Sequence, residues 1–530
     1  MLAMNLVSVQ FPAFIFLVIF FYFLVPKKWQ WCVLLISGYI FFFISSEWLV
    51  LVLFLQTLAA FFTGLLIERS SGSRDVNEEP ASREEKKKRE TQNRKIRVRL
   101  MHAGVILVLL PLLFLKYYNF FAQNISFVTR RFGIVFPQLK LLLPIGISFY
   151  TLQAVAYMAD VCNGKIRADT NLPKFMLFMS YFPQIAQGPI PRYKQLAGQL
   201  YESHVFDYLR FSSGFQLLVW GYMKKMVIAD RLAIPVGRVF DHPSGYRGLI
   251  LFFSAALYWL QLYADFSGGI DIVRGFSQIL GIRLEHNFNQ PYFAVSVEDF
   301  WRCWHMTLGG FMRDYVFYPL SLSISFSGFG KKCRRIFGAE LGKKIPPFFA
   351  MFFVYFLVGI WHGPQWKYVA FGIWNGIFIA GGILFTDLFA RIKGFLKIDE
   401  TLFSWRLFQM LRTFLIISMG SFFSRAAGLK TAVSMIGAFF GRWYDFTFLF
   451  DGTLISLGLS TAEWFLLFVM ALILLLTDYF HEREISVRGW IAKQGDVFGM
   501  LVLIAAVTAV IILGVYGPGY DASRFIYQQF

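Results

Sequence analysis

Apolar residues in this chain come in long runs that polar stretches interrupt. The runs occupy residues 11–25, 32–44, 48–67, 100–118 and 141–158, then 211–229, 249–263, 348–361, 369–389, 402–422, 465–476 and 499–515. A helix that crosses a membrane needs about 20 apolar residues, fewer where other helices surround it. The pattern predicts an all-α polytopic membrane protein with roughly 11–13 membrane-embedded helices. Two stretches break it. Between residues 163 and 210, Pro173, Pro183, Pro189 and Pro191 stand with Gln184, Gln187 and Gly188 in otherwise apolar sequence. Proline removes a backbone donor and stops a helix. This segment is therefore expected to be re-entrant, with its backbone satisfied by neighbours or water. A second polar intrusion covers residues 264–313.

The clearest soluble segment is residues 69–99. From Glu68 to Arg99 there are 11 Lys/Arg and 7 Asp/Glu, which reads as a solvated loop. Residues 78–94 suit either a charged helix laced with i,i+4 pairs or a disordered stretch. With this loop in the cytoplasm, three preceding spans put the N-terminus outside and place Lys27 and Lys28 inside, as the positive-inside rule asks. The stretch 481–488 then reads as cytoplasmic and residues 517–530 emerge outside. The first run has no basic segment before it and no small-residue cleavage motif, so it reads as a retained span. The expected organisation is N-terminal transmembrane helices over 1–68, a cytoplasmic charged loop over 69–99, a catalytic core over 100–516 and an extracellular tail over 517–530.

Composition strengthens this picture. Hydrophobic residues make up 57% of the chain and charged residues 16%, too little polar surface for a soluble fold of this length. The net charge of +19 does not point to nucleic acid. The basic residues lie between apolar runs, where they set orientation and meet anionic headgroups of membrane lipid. Cys32, Cys162, Cys303 and Cys333 are scattered, so neither a disulfide framework nor a metal site is expected.

An ionisable residue at membrane depth is costly, which makes it a functional candidate. Histidine leads, because its ordinary pKa of about 6.5 lets it act as a base at neutral pH. His102, His204, His242 and His481 lie in charged or loop contexts, and His286 suits an interfacial turn. His362 ends an apolar run in Gly359-Ile360-Trp361-His362-Gly363-Pro364. It reads either as a pocket base or as an interface histidine bonded to a carbonyl. His305 follows Phe300-Trp301-Arg302-Cys303-Trp304, on what reads as an amphipathic helix lying partly in the interface, and is either functional or structural. Arg302, Arg313 and Asp314 near it suit a buried ion network. Gly268-Gly269 and Gly309-Gly310 read as close helix packing, and no zinc-binding, P-loop or dinucleotide motif is present.

Six blocks, in order, carry a resemblance. They are Leu143-Pro144-Ile145-Gly146-Ile147-Ser148-Phe149-Tyr150-Thr151, Phe182-Pro183-Gln184-Ile185-Ala186-Gln187-Gly188-Pro189-Ile190 and Tyr263-Ala264-Asp265-Phe266-Ser267-Gly268. Asn287-Phe288-Asn289-Gln290-Pro291-Tyr292, Phe300-Trp301-Arg302-Cys303-Trp304-His305 and Gly359-Ile360-Trp361-His362-Gly363 complete the set. With them the chain resembles the membrane-bound O-acyltransferases, in the bacterial branch of alginate O-acetylation and teichoic-acid D-alanylation. The resemblance implies helices around a central funnel, His362 as the essential histidine and His305 as a second. Asp265, Asn287, Arg302, Arg313 and Asp314 are the candidate tunnel or structural residues. The resemblance also implies an acyl thioester donor on the cytoplasmic side, acetyl-CoA foremost, used as a substrate with no bound cofactor. The product is an O-acylated surface polysaccharide, made with an extracellular partner similar to SGNH hydrolases, in the bacterial plasma membrane. The ending Phe525-Ile526-Tyr527-Gln528-Gln529-Phe530 resembles that branch's F-x-Y-F-x-F tail, in which the tyrosine relays the acyl group. Here Gln528 replaces the phenylalanine after Tyr527. A transporter or exporter of a polymer precursor is the rival reading, as is D-alanyl transfer to teichoic acid.

Overall fold

The structure, a computed structural model, describes residues 4, 6–8, 10–70 and 83–516. Among these residues every regular element is a helix, and the strand-like pairing is an isolated antiparallel bridge between Phe288 and Trp304. Eight helical stretches of the described residues are long and apolar enough to cross a membrane, and Gln10–Leu24 and Leu429–Gly441 are shorter apolar helices. The molecule is a multi-pass membrane protein. Phe16, Phe20 and Leu24 on one such helix, and Ile504, Ile511 and Ile512 on Asp496–Leu513, are exposed. Lipid accepts these faces as readily as a protein core does, so the helices are apolar all round.

Contacts divide the chain into two units, Met1–Phe215 with Val273–Glu285, and Gln216–Ile272 with His286–Phe530. In the first, Val50–Arg69, Arg83–Leu112 and Ile147–Cys162 pack against one another. The charged stretch is helical from Arg83 and runs without a break into apolar sequence. The 141–158 run divides: residues 141–144 are irregular and the helix starts at Ile147 behind Gly146, whose φ of 70° is left-handed. The proline-rich segment forms two short buried helices, Leu172–Ser180 and Phe182–Gln187. Gln153 answers their broken backbone. Its Nε2 donates to the Phe178 carbonyl at 2.7 Å, and its Oε1 accepts from Gln184 Nε2 at 3.0 Å. His204, whose Nδ1 lies 2.8 Å from the Tyr22 hydroxyl, is a structural histidine of this unit.

In the second unit, Ile324–His362 and Trp366–Leu384 form a hairpin closed by three residues. The two helices touch backbone to backbone. A Cβ on Gly359 would lie 2.5 Å from the Tyr368 carbonyl oxygen and 2.8 Å from Gly372 Cα. A second close crossing joins Gly221 to Gly268, where a Cβ on Gly221 would lie 2.6 Å from the Gly268 carbonyl oxygen. Gly268 is thus the close-packing glycine its sequence context suggests. Gly309 is not, since the nearest atom to a Cβ there is 3.9 Å away.

Candidate active site

His362 is the last residue of its helix. Gly363 continues in extended backbone and Pro364 cannot prolong the helix, so the imidazole stands at the hairpin tip. Its ring has Trp361 at 5.2 Å, Phe371 at 5.6 Å and Tyr368 at 6.4 Å. The Gly359 contact fixes this position, because a side chain there would push the hairpin apart one turn below the histidine.

His305 is held differently. It joins Val297–Cys303 to Met306–Met312 in left-handed backbone, φ 47° and ψ 51°, a conformation that costs a non-glycine residue about 1–3 kcal/mol. The strand-like pairing maintains it: the Asn289 N–H donates to the Cys303 carbonyl at 2.9 Å and the Met306 N–H to the Asn287 carbonyl at 3.0 Å. The ring contacts Phe266 at 4.9 Å and Trp361 at 5.7 Å. Trp361 therefore touches both imidazoles. Both histidines are buried. Burial, with His362 nearby, pushes the His305 pKa well below its ordinary value, which leaves a neutral ring at pH 7.

Tryptophans wall the space beside His362. Trp259 Nε1 donates to the Ile417 carbonyl at 2.8 Å and Trp301 Nε1 to Asn375 Oδ1 at 2.9 Å, so both indoles are pinned. Trp304 meets Trp259 edge-on at 5.2 Å. With Phe371, Ser424 and His362 they line a cavity of about 10 Å³, room for one water.

Of the other sequence candidates, Asn287 joins this site, 3.2 Å from His305 Nδ1. Asp265 belongs to a buried charge cluster on the same helix as Phe266. Lys225 Nζ pairs with Asp265 at 2.5 Å and Asp230 at 2.8 Å, and Lys224 Nζ with Asp271 at 2.7 Å. Arg302, Arg313 and Asp314 do not form the buried network expected of them. Arg302 pairs with Asp299 at 2.8 Å and Arg313 with Asp314 at 2.9 Å, with both guanidiniums mostly exposed. Each charge finds a partner within three residues and has no need to turn inward. Tyr527 and its tail lie outside the described residues. Sequence reasoning passed over Lys224 and Lys225, although two lysines inside an apolar run were signal enough.

The chain matches the model of the MBOAT, membrane-bound O-acyltransferase family over residues 36–424. It is 31% identical over 481 residues to the probable alginate O-acetylase AlgI of Pseudomonas syringae pv. tomato, covering 89% of this chain and 82% of that protein. The Helicobacter pylori peptidoglycan O-acetyltransferase is 28% identical, covering 62% of each chain. The Bacillus subtilis teichoic acid D-alanyltransferase is 26% identical over 46% of this chain and 59% of its own.

Proposed function

The chain belongs to the membrane-bound O-acyltransferase family and is a membrane O-acyltransferase; from this premise we propose that it carries acetyl from a cytoplasmic thioester, acetyl-CoA, to hydroxyls of a cell-surface polysaccharide. The observation that carries the reading is the pair of buried imidazoles that both contact Trp361. Transfer from a thioester to a hydroxyl needs a base for the hydroxyl proton and stabilisation of the tetrahedral oxyanion. His362, facing the cavity, takes the proton as the hydroxyl oxygen attacks the carbonyl. The C–O bond forms, the C–S bond breaks, and the departing thiolate receives the proton. His305 orders the reacting groups beside it. Acetyl is favoured as the acyl group by the greater coverage of the O-acetylating relatives. D-alanyl is the second reading, supported by the relatives that carry out that transfer.

In this reading the protein sits in a bacterial plasma membrane with both termini outside. Tyr527 supplies the attacking hydroxyl; an extracellular partner of the SGNH-hydrolase kind then breaks the tyrosyl ester and places the acetyl group on the polymer, and the tyrosine regains its proton. The test is labelled acetyl-CoA given to membranes holding wild type, His362→Ala or Tyr527→Phe at matched amounts. General-base loss costs about 10²–10⁴-fold, so His362→Ala should fall by that much, and an active His362→Ala would remove it from the chemistry. Labelled extracellular product from Tyr527→Phe at the wild-type rate would reduce the tyrosine to an anchor. Transfer of D-alanyl but not acetyl would select the second reading.

A further inference from the structure

Three donors converge on one oxygen beside His305. Asn287 Oδ1 lies 3.0 Å from the Thr307 backbone nitrogen, 2.9 Å from Thr307 Oγ1 and 3.2 Å from His305 Nδ1. The backbone N–H settles which end of the carboxamide faces it. A main-chain nitrogen only donates, so the atom opposite must be the carbonyl oxygen. Turning the carboxamide over would set Nδ2 donor against donor. A carbonyl oxygen has no proton to give, so His305 Nδ1 supplies the hydrogen of its bond. In a neutral imidazole the other nitrogen then holds the lone pair.

We infer that Asn287 locks His305 in the Nδ1–H tautomer, so that Nε2 acts toward the acyl-transfer site as an acceptor and not as a donor. Asn287 is a positioning residue acting through His305, and the inference rests on the proposed role of the two histidines. It divides their work. His305 therefore cannot donate from Nε2 to a developing oxyanion; it accepts a hydrogen bond there, and the hydroxyl proton stays the work of His362.

Two observations support a side chain held for its oxygen. Asn287 is buried, and among the described residues its Nδ2 has no hydrogen-bond partner. The left-handed turn at His305 and the bridge beside it also fix the imidazole against the carboxamide.

The test uses the full chain in lipid bilayers with ¹⁵N-labelled histidine. The chain has 7 histidines, and the His305 signals are those that vanish in His305→Gln. The expected wild-type pattern is a protonated Nδ1 and a bare Nε2, kept in Asn287→Asp and moved to Nε2–H in Asn287→Leu. A wild-type Nε2–H signal, or an unchanged tautomer in Asn287→Leu, would overturn the inference. Membranes that transfer no acyl group would refute the proposed function while the spectra still decide the tautomer. In the transfer assay Asn287→Leu should lower kcat roughly 10- to 100-fold with the donor KM unchanged. Asn287→Asp, which keeps the fold and all three donors satisfied, should restore most of that rate. It should also move the acid limb of the pH profile upward, because a carboxylate favours the imidazolium. Equal loss in both variants with an unmoved pH profile would make Asn287 merely structural.

Discussion

Gly359→Ala is a small change with a large expected effect. The added methyl would lie 2.5 Å from the Tyr368 carbonyl oxygen, 2.8 Å from Gly372 Cα and 2.9 Å from Gly372 N. Ordinary contact begins near 3.4 Å, so the carbonyl contact is short by about 0.9 Å. All three opposing atoms are backbone, and no rotamer change relieves them. The two helices of the hairpin must therefore separate by a large part of that distance. Overpacking of this kind costs about 1–3 kcal/mol. His362 sits one turn further along the same helix, and a misplacement of about 1 Å can cost ~10²-fold in rate. We expect kcat for labelled acyl transfer to fall roughly 10- to 100-fold, with a lower thermal midpoint in detergent. Gly382→Ala on the partner helix is the control. Nothing lies within 4 Å of its Cβ, and alanine there should gain about 0.5–1 kcal/mol of helix stability. A Gly359→Ala protein with wild-type rate and midpoint would refute the claim that this crossing sets the His362 position.

Lys225→Met should destabilise by about 3–5 kcal/mol, because it leaves two buried carboxylates facing each other. Adding Asp265→Leu should recover part of that loss, and an unchanged thermal midpoint in the single variant would show that the cluster is not structural. Ser460→Ala removes a capping box, in which the Ser460 N–H donates to Glu463 Oε2 at 2.9 Å and the Glu463 N–H to Ser460 Oγ at 3.3 Å. It should cost about 1 kcal/mol in denaturant unfolding and leave the transfer rate alone; a lower rate would place Thr461–Glu482 closer to the chemistry than its position suggests.

Much of the architecture was legible because lipid imposes a simple rule: spanning segments must be apolar and satisfy their own backbone. Exceptions to the rule were legible too. His362 and His305 stand out beside apolar runs, Asp265 and Asn287 enter through the family blocks, and all four are buried. The reading failed where a charge had a cheap local partner. Arg302 and Arg313 satisfy themselves beside their own positions, so proximity to His305 in the sequence did not bring them to it in space.

Residue type, run length and local order were enough for an all-helical membrane protein, its histidine candidates and its resemblance to an acyltransferase family. That Trp361 touches both imidazoles, that Lys225 pairs with Asp265 and that the Asn287 oxygen meets His305 Nδ1 emerged with the fold alone. Those facts are directional and short-ranged. Asn287 and His305 are separated by 18 residues and a left-handed turn. Which atom of one faces which atom of the other depends on backbone geometry that hydropathy does not record.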